Sequence, residues 1–262
     1  MRNGSQTIDQ LLGRLGNGEV AALARAISLV DQGTADGAEL VSGARGHRGK
    51  TCVIGVTGAA GCGKSSLVNA LTRELRSRDV TVAVLAVDPS SPISGGAVLG
   101  DRVRMGEHAV DEGVFIRSLS SRGEHGAIAA CIPQIIDLLA FSGWPCVLVE
   151  TVGAGQSDTA IARIADLCIV VNAPGMGDEV QSIKAGILEI GNVLVVNKSD
   201  QPEASLLLRQ LKSMLHLRVA DASDVSVIAT NALSGDGVDG LADLIQNRLA
   251  TSHGRREVEN EN

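Results

Sequence analysis

From Cys52 onward the chain alternates short, apolar, β-branched runs with stretches long enough for a helix. The runs at 51–57, 81–87, 145–150, 167–171, 193–197 and 225–230 lack the polar alternation of half-exposed strands, so each reads as a strand buried on both faces. Strand, helix, strand in alternation requires right-handed crossovers, and hence an α/β fold: a mostly parallel central sheet flanked by helices. Ligands of such sheets sit beyond the carboxyl ends of the strands, and glycine, polar or acidic residues follow nearly every run here. Ahead of the first run the pattern is helical. Thr7 and Gln10 have capping-box spacing, and Val20, Leu23, Ile27 and Val30 recur at helical intervals. The expected layout is a short N-terminal helical extension over 1–48, a nucleotide-type α/β domain over 49–250 and a flexible tail over 251–262.

Composition narrows this picture. A chain of 262 residues, 44% hydrophobic, supports one substantial domain with a small appendage. Two Phe, one Trp and no Tyr leave the core to Val, Ile, Leu and Ala. A net charge of −7 argues against a long basic surface, so nucleic acid is not expected as a partner. No apolar segment follows a basic start, and no run approaches the roughly 18 apolar residues of a membrane span. A cytosolic protein that does not bind membranes is therefore expected. The five cysteines, Cys52, Cys62, Cys131, Cys146 and Cys168, are irregularly spaced and mostly embedded in apolar runs, which fits small hydrophobes and not a disulfide framework.

The chemistry gathers after the first run, in Gly58-x-x-x-x-Gly63-Lys64-Ser65. This is a phosphate-binding loop in the context its mechanism needs, strand before and helix after. Glycines let successive N–H groups turn toward phosphate oxygens, and the next helix adds its positive end. The expected phosphate contacts are Gly58, Ala60, Gly61, Cys62, Gly63, Lys64, Ser65 and Ser66, with Lys64 on the terminal phosphates and the Ser65 hydroxyl on Mg²⁺. Cys62 fills a variable position of the loop. It reads as a small packing residue, with thiol regulation near a helix N-terminus as the alternative.

The base is read from Asn197-Lys198-Ser199-Asp200, where the aspartate accepts the guanine ring N–H and exocyclic amine as a bidentate pair. Adenine offers the wrong groups there. Such a stretch is also a good turn, but in register with a phosphate loop it selects GTP or GDP over ATP. The last run leads into "TNALSGDG", so Asn231, Ala232 and Leu233 stand where GTPases usually carry a Ser-Ala turn against the base. Asp88, Asp101 and Glu150 follow strands or lie close to the loop and are candidate Mg²⁺ ligands beside Ser65. The expected catalytic set is Lys64, Asp101, Glu150 and the backbone amide of Gly153, with Glu150 or Asp101 orienting the attacking water. Gln156 lies further along the Gly153 loop, and Arg117 and Arg122 are candidates for a phosphate or switch contact.

The stretches "AVLAVDPSSPISGGAVLGDRVRM", "VLVETVGAGQSD" and "APGMGDEVQSIKAGILEI" resemble the MeaB-like GTPases, also called methylmalonyl-CoA mutase-associated or ArgK-type, of the SIMIBI class of P-loop proteins. The resemblance runs over roughly residues 18 to 245. It implies a GTP-hydrolysing chaperone of an adenosylcobalamin-dependent acyl-CoA mutase, one that gates cofactor loading and protects or reactivates the mutase. The cobalamin would sit on the partner, not on this chain. The resemblance also implies that Asp88, Asp101 and Glu150 are the Mg²⁺ and active-site acids. Switches are implied at about 88–105, 151–158 and 173–185, with Gln156, Asp178, Glu179 and Lys184 relaying nucleotide state to the partner. A Glu150–Lys184 ion pair that forms or breaks with the nucleotide would provide that link, and turnover is expected to be slow alone and faster with the mutase.

Two departures stand out. Residues 124–128 read "EHGAI" where the family usually has a leucine and paired glycines. The chain also stops soon after "GLADLIQNRLA", where stand-alone members commonly continue into a dimerisation arm, so homodimerisation through that arm is not expected, and a monomer, a homodimer through another face or a counterpart of the G-domain of fused mutases stay open. The competing reading is a metallochaperone GTPase of the hydrogenase or urease maturation type. Such proteins carry His/Cys clusters, whereas His47, His108, His125, His216 and His253 are scattered here. The transport-protein kinase suggested by the ArgK name finds no kinase catalytic motif.

Overall fold

The computed structural model describes residues 7–88, 106–108, 110–120, 131–151, 160–175, 191–216 and 225–260. Seven strands form one parallel sheet: β1 (Cys52–Gly58), β2 (Val82–Asp88), β3 (Val114–Ser120), β4 (Cys146–Glu150), β5 (Leu167–Asn172), β6 (Val193–Val196) and β7 (Ser226–Ala229). Their order is β3-β2-β4-β1-β5-β6-β7. β1 therefore lies mid-sheet, in register with β4 from Cys52↔Cys146 to Val56↔Glu150 and with β5 from Ile54↔Leu167 to Gly58↔Val171. Its carboxyl end opens between the two halves of the sheet, where such folds leave a crevice for ligands.

Six of these strands follow the apolar runs of the sequence. The seventh, β3, is an addition: Arg117, Ser118 and Ser120 break its apolar character, and its edge position against β2 tolerates them.

Among the described residues seven helices flank the sheet: α1 (Ile8–Gly16), α2 (Val20–Asp31), α3 (Ala35–Ala44), α4 (Lys64–Ser77), α5 (Ile132–Phe141), α6 (Ala204–His216) and α7 (Val238–Asn260). The first opens on the expected capping box, with the Thr7 side chain accepting from the Gln10 N–H and the Gln10 side chain accepting from the Thr7 N–H. Residues 251–260, expected as a flexible tail, continue α7.

Because side chains alternate across a strand, the sheet has two buried faces. Ile54, Val56, Val84 and Leu148 pack with α4 and α7. Val53, Leu85, Val147 and Val149 pack with α5, α6 and the three N-terminal helices. Arg117 belongs to the second face: its guanidinium donates to Ser28 Oγ of α2 at 2.9 Å, so it braces the helical extension against the sheet edge. Its strand position directs it to the sheet face away from α4, and the switch segments for which it was a candidate lie largely outside the described residues.

Candidate functional site

The turn from β1 into α4 carries the phosphate-loop residues, and its backbone permits little but glycine at two points. Gly58 has φ +142°, and a Cβ there would lie 2.1 Å from the Val171 carbonyl oxygen. Gly63 has φ +93°, and a Cβ there would lie 2.4 Å from Asn197 Nδ2. Both positions combine left-handed backbone with direct obstruction.

Three side chains hold the loop's carbonyls. Lys64 Nζ, almost wholly buried, donates to Gly58 O at 2.8 Å and Ala59 O at 2.9 Å. Lys198 Nζ donates to Gly61 O at 2.9 Å. Asn197 Nδ2 donates to Cys62 O at 3.0 Å. The segment after β6 is thereby clamped onto the segment after β1, across the intervening β5.

Asn197 reaches a third segment as well. Its Oδ1 accepts from Thr230 Oγ1 at 3.2 Å and from the Ala232 N–H at 3.1 Å. Asn231, standing in place of the usual serine, caps its own loop: its Oδ1 accepts from the Leu233 N–H at 3.0 Å and the Ser234 N–H at 3.4 Å. Leu233 projects into solvent at 87% exposure. Asp200 is also exposed, presented by a turn in which Lys198 adopts φ +57°, the Ser199 N–H donates to Thr230 O at 3.0 Å, and the Gln201 N–H donates to Lys198 O at 3.0 Å.

The acidic residues approach from the other half of the sheet. Ser65 Oγ donates to Glu150 Oε1. Glu150 and Asp88 are both buried at the carboxyl ends of β4 and β2, and strand alternation places both on the face of α4, whose first turn holds Ser65. The structure thus brings Gly58 to Ser65, Glu150, Asn197, Lys198 and Ala232 into one bonded constellation, with Asp88 on the same face, Ser66 in the first turn of α4, and Asp200, Asn231 and Leu233 at its rim. Asp101, Gly153, Gln156, Asp178, Glu179, Lys184 and Arg122 lie outside the described residues. Sequence reasoning passed over Thr57, Thr151 and Thr230, hydroxyls buried at strand ends; their signal is a threonine where the apolar run calls for an aliphatic residue.

A protein-family model described as methylmalonyl-CoA mutase-associated GTPase MeaB matches residues 23–261. The chain belongs to the MeaB family of GTPases. As a MeaB-family enzyme it hydrolyses GTP to GDP and phosphate. The GTPase ArgK of Escherichia coli is 36% identical over 242 residues, covering 89% of this chain and 73% of ArgK. A Caenorhabditis briggsae protein, the methylmalonic aciduria type A homolog of mitochondria, is 36% identical over 209 residues, covering 74% of this chain and 51% of its own length. Among solved structures, a LAO/AO transport system kinase superposes with a TM-score of 0.73 at 29% identity, over 99% of this chain and 83% of that one. Helicobacter pylori HypB, crystallised with nickel, has a TM-score of 0.59 at 16% identity over 82% of this chain and 93% of its own, which shows a shared fold alone. Among the described residues no group of three or more His, Cys, Asp or Glu is placed to hold a metal ion.

Within this MeaB-family site the Cys62 thiol is buried, and burial raises its pKa above the ordinary value despite the opposing pull of Lys64. A raised pKa leaves the thiol neutral at pH 7.5 or so, and the neutral thiol is the unreactive form. Iodoacetamide at that pH is therefore expected to leave GDP binding intact while it modifies the partly exposed Cys131 first. Peptide mapping with a parallel GDP-binding assay checks this; early modification of Cys62 with loss of binding would restore the thiol-regulation alternative.

Proposed function

We propose that this GTPase is a chaperone of an adenosylcobalamin-dependent acyl-CoA mutase, using GTP binding and hydrolysis to gate cofactor loading and to protect or reactivate the mutase. The observation that carries this reading is the family match over residues 23–261, under a description that names association with methylmalonyl-CoA mutase. The relative described as a methylmalonic aciduria type A homolog supports the same class of partner. In this reading residues 49–250 are the GTPase domain and 1–48 a helical extension, whose described helices pack on it. Neither nucleic acid nor membrane takes part, and among the described residues no helix is long and apolar enough to cross a membrane.

In this reading each residue has its own role. Asp200 pairs with the guanine edge, while Asn197 and Ala232 fix the base pocket to the phosphate loop. Lys64 turns from the loop carbonyls to the terminal phosphates. The Ser65 hydroxyl, the Glu150 carboxylate bonded to it and the Asp88 carboxylate on the same sheet face are all oxygen donors, which suits a hard cation such as Mg²⁺. When bound, Mg²⁺ neutralises charge on the phosphates. Asp101 joins this set by family resemblance, and Glu150 or Asp101 orients the water while the Gly153 amide faces the γ-phosphate. Gln156, Asp178, Glu179 and Lys184 report nucleotide state to the mutase.

The test is single-turnover GTP hydrolysis, alone and with a panel of cobalamin-dependent acyl-CoA mutases. One mutase is expected to accelerate hydrolysis about tenfold or more, by supplying or ordering charge at the transition state. The acceleration should be lost in Lys64→Ala and in Lys184→Ala. Basal hydrolysis unchanged by every mutase would remove the chaperone reading, and a Lys184→Ala protein accelerated like its parent would remove that residue's coupling role.

A further inference from the structure

Two threonines close the gap between β1 and β4 just past their shared ladder. The register ends at Val56↔Glu150. One step on, the Thr151 N–H donates to Val56 O at 3.0 Å, and the hydroxyls of Thr57 and Thr151 lie 2.9 Å apart. Both side chains are buried, at 0% and 2% exposure. Hydroxyls buried at that depth are costly unless bonded, so the pair is held together by the absence of water as much as by its own bond.

Alternation along the strands places this pair on the sheet face opposite α4, the face of Val53, Val147 and Val149. Glu150, the residue before Thr151, points the other way, onto α4, where Ser65 Oγ donates to its carboxylate. The end of β4 is thus fastened on both sides within two residues: Glu150 to the first turn of α4 in front, and Thr151 to the last residue before the phosphate loop behind. A side chain fastened only in front pivots with its backbone. Fastening the next residue to β1 removes that freedom.

We infer that the Thr57–Thr151 hydroxyl pair is a positioning device for the Glu150 carboxylate, fixing the end of β4 to the strand that opens the phosphate loop. The inference rests on the active-site role proposed above for Glu150. In this reading Thr57 and Thr151 act on catalysis through the backbone that carries Glu150. Their removal therefore slows the chemical step more than it weakens nucleotide binding, which the loop amides and the base pocket supply.

The experiment uses the full chain and compares single-turnover GTP hydrolysis at saturating GTP and Mg²⁺ with the affinity for a fluorescent GDP. Thr151→Val, which keeps the shape and deletes the hydroxyl, is expected to hydrolyse about tenfold or more slowly, a cost in line with small displacements of a reacting group. Its GDP affinity is expected to stay within about threefold of the parent, because the loss is confined to the transition state. Thr151→Ser restores most of the rate. Thr57→Val repeats the effect, and the double variant is no more than about twofold slower than Thr151→Val, since both changes delete one bond. Should Thr151→Val fail to fold, Thr57→Val carries the same expectations. A parental rate in the single variants, equal losses of rate and GDP affinity, or additive losses in the double variant would each overturn the pair's role. Glu150→Gln separates the two readings: if it hydrolyses GTP like the parent, the role of Glu150 itself is wrong, whereas an inactive Glu150→Gln beside a fully active Thr151→Val condemns the threonine pair alone.

Discussion

Asp200→Asn is expected to lower GTP affinity by at least about 10³-fold and to make XTP the preferred nucleotide, because a site built to hydrogen-bond a base rejects the analogue whose donors and acceptors are reversed. Guanine presents two donors side by side, its ring N–H and its exocyclic amine, and a carboxylate accepts both. Xanthine keeps the ring N–H but carries a carbonyl in place of the amine. An asparagine in the same position accepts from the first with its oxygen and donates to the second with its amide. The fold is expected to tolerate the exchange: Asp200 is exposed, and its turn is held by main-chain bonds from Ser199 to Thr230 and from Gln201 to Lys198. An exposed substitution of this kind is worth within about 0.5 kcal/mol. Competition of GDP and XDP against a fluorescent nucleotide measures the switch directly, and an undiminished preference for GDP would remove Asp200 from the base pocket. Asn197 makes the contrast clear. It is buried and ties the segments after β1, β6 and β7 together, so its replacement would disturb the whole site and report nothing specific about the base.

What the sequence conveyed about this architecture depended on how local each signal was. Six strands were legible because parallel strands buried on both faces are continuous apolar runs. β3 was not, because an edge strand that carries Arg117, Ser118 and Ser120 loses the run that marks the others. The glycine and lysine spacing of the phosphate loop is dictated by the backbone of a single turn, and it could be read in place. The bonds that assemble the site join residues far apart in sequence: Lys198 to Gly61, Asn197 to Cys62 and Ala232, Ser65 to Glu150. Only the strand order explains them, since β4 and β5 flank β1 while β6 follows one place further out. Thr57 and Thr151 were hidden for a related reason: each is an unremarkable strand residue until the register sets one hydroxyl against the other. Arg117, a candidate for a phosphate or switch contact by sequence, is a strand residue bonded to the helical extension, a bond that likewise only the assembled sheet explains.

Lys64→Ala is the second large effect, and it is expected to separate nucleotide binding from folding. In the structure the Lys64 ammonium has two acceptors, Gly58 O and Ala59 O, and is almost wholly buried beneath the loop. The loop does not depend on it alone, because Lys198 and Asn197 hold Gly61 O and Cys62 O from outside. Each neutral or charge-assisted bond lost from the free protein is worth about 1–2 kcal/mol. Against that modest loss stands the phosphate site: charge-assisted bonds to phosphate oxygens are worth about 1.5–3 kcal/mol each, and two of them would amount to roughly 10²- to 10⁴-fold in affinity, at about 1.4 kcal/mol per factor of ten. Thermal unfolding with and without GDP and Mg²⁺ distinguishes the two quantities. A ligand at about a thousand times its Kd stabilises the folded parent by about 4 kcal/mol, which for a chain near this size corresponds to a rise of roughly 8–16 °C in Tm. The nucleotide-free variant, having lost two bonds, is expected to melt roughly 4–16 °C below the nucleotide-free parent, and at the same GDP concentration to gain no more than about a third of that rise. A variant that GDP stabilises as strongly as the parent would show that Lys64 remains with the loop carbonyls when nucleotide binds, and that the charge facing the terminal phosphates comes from another residue.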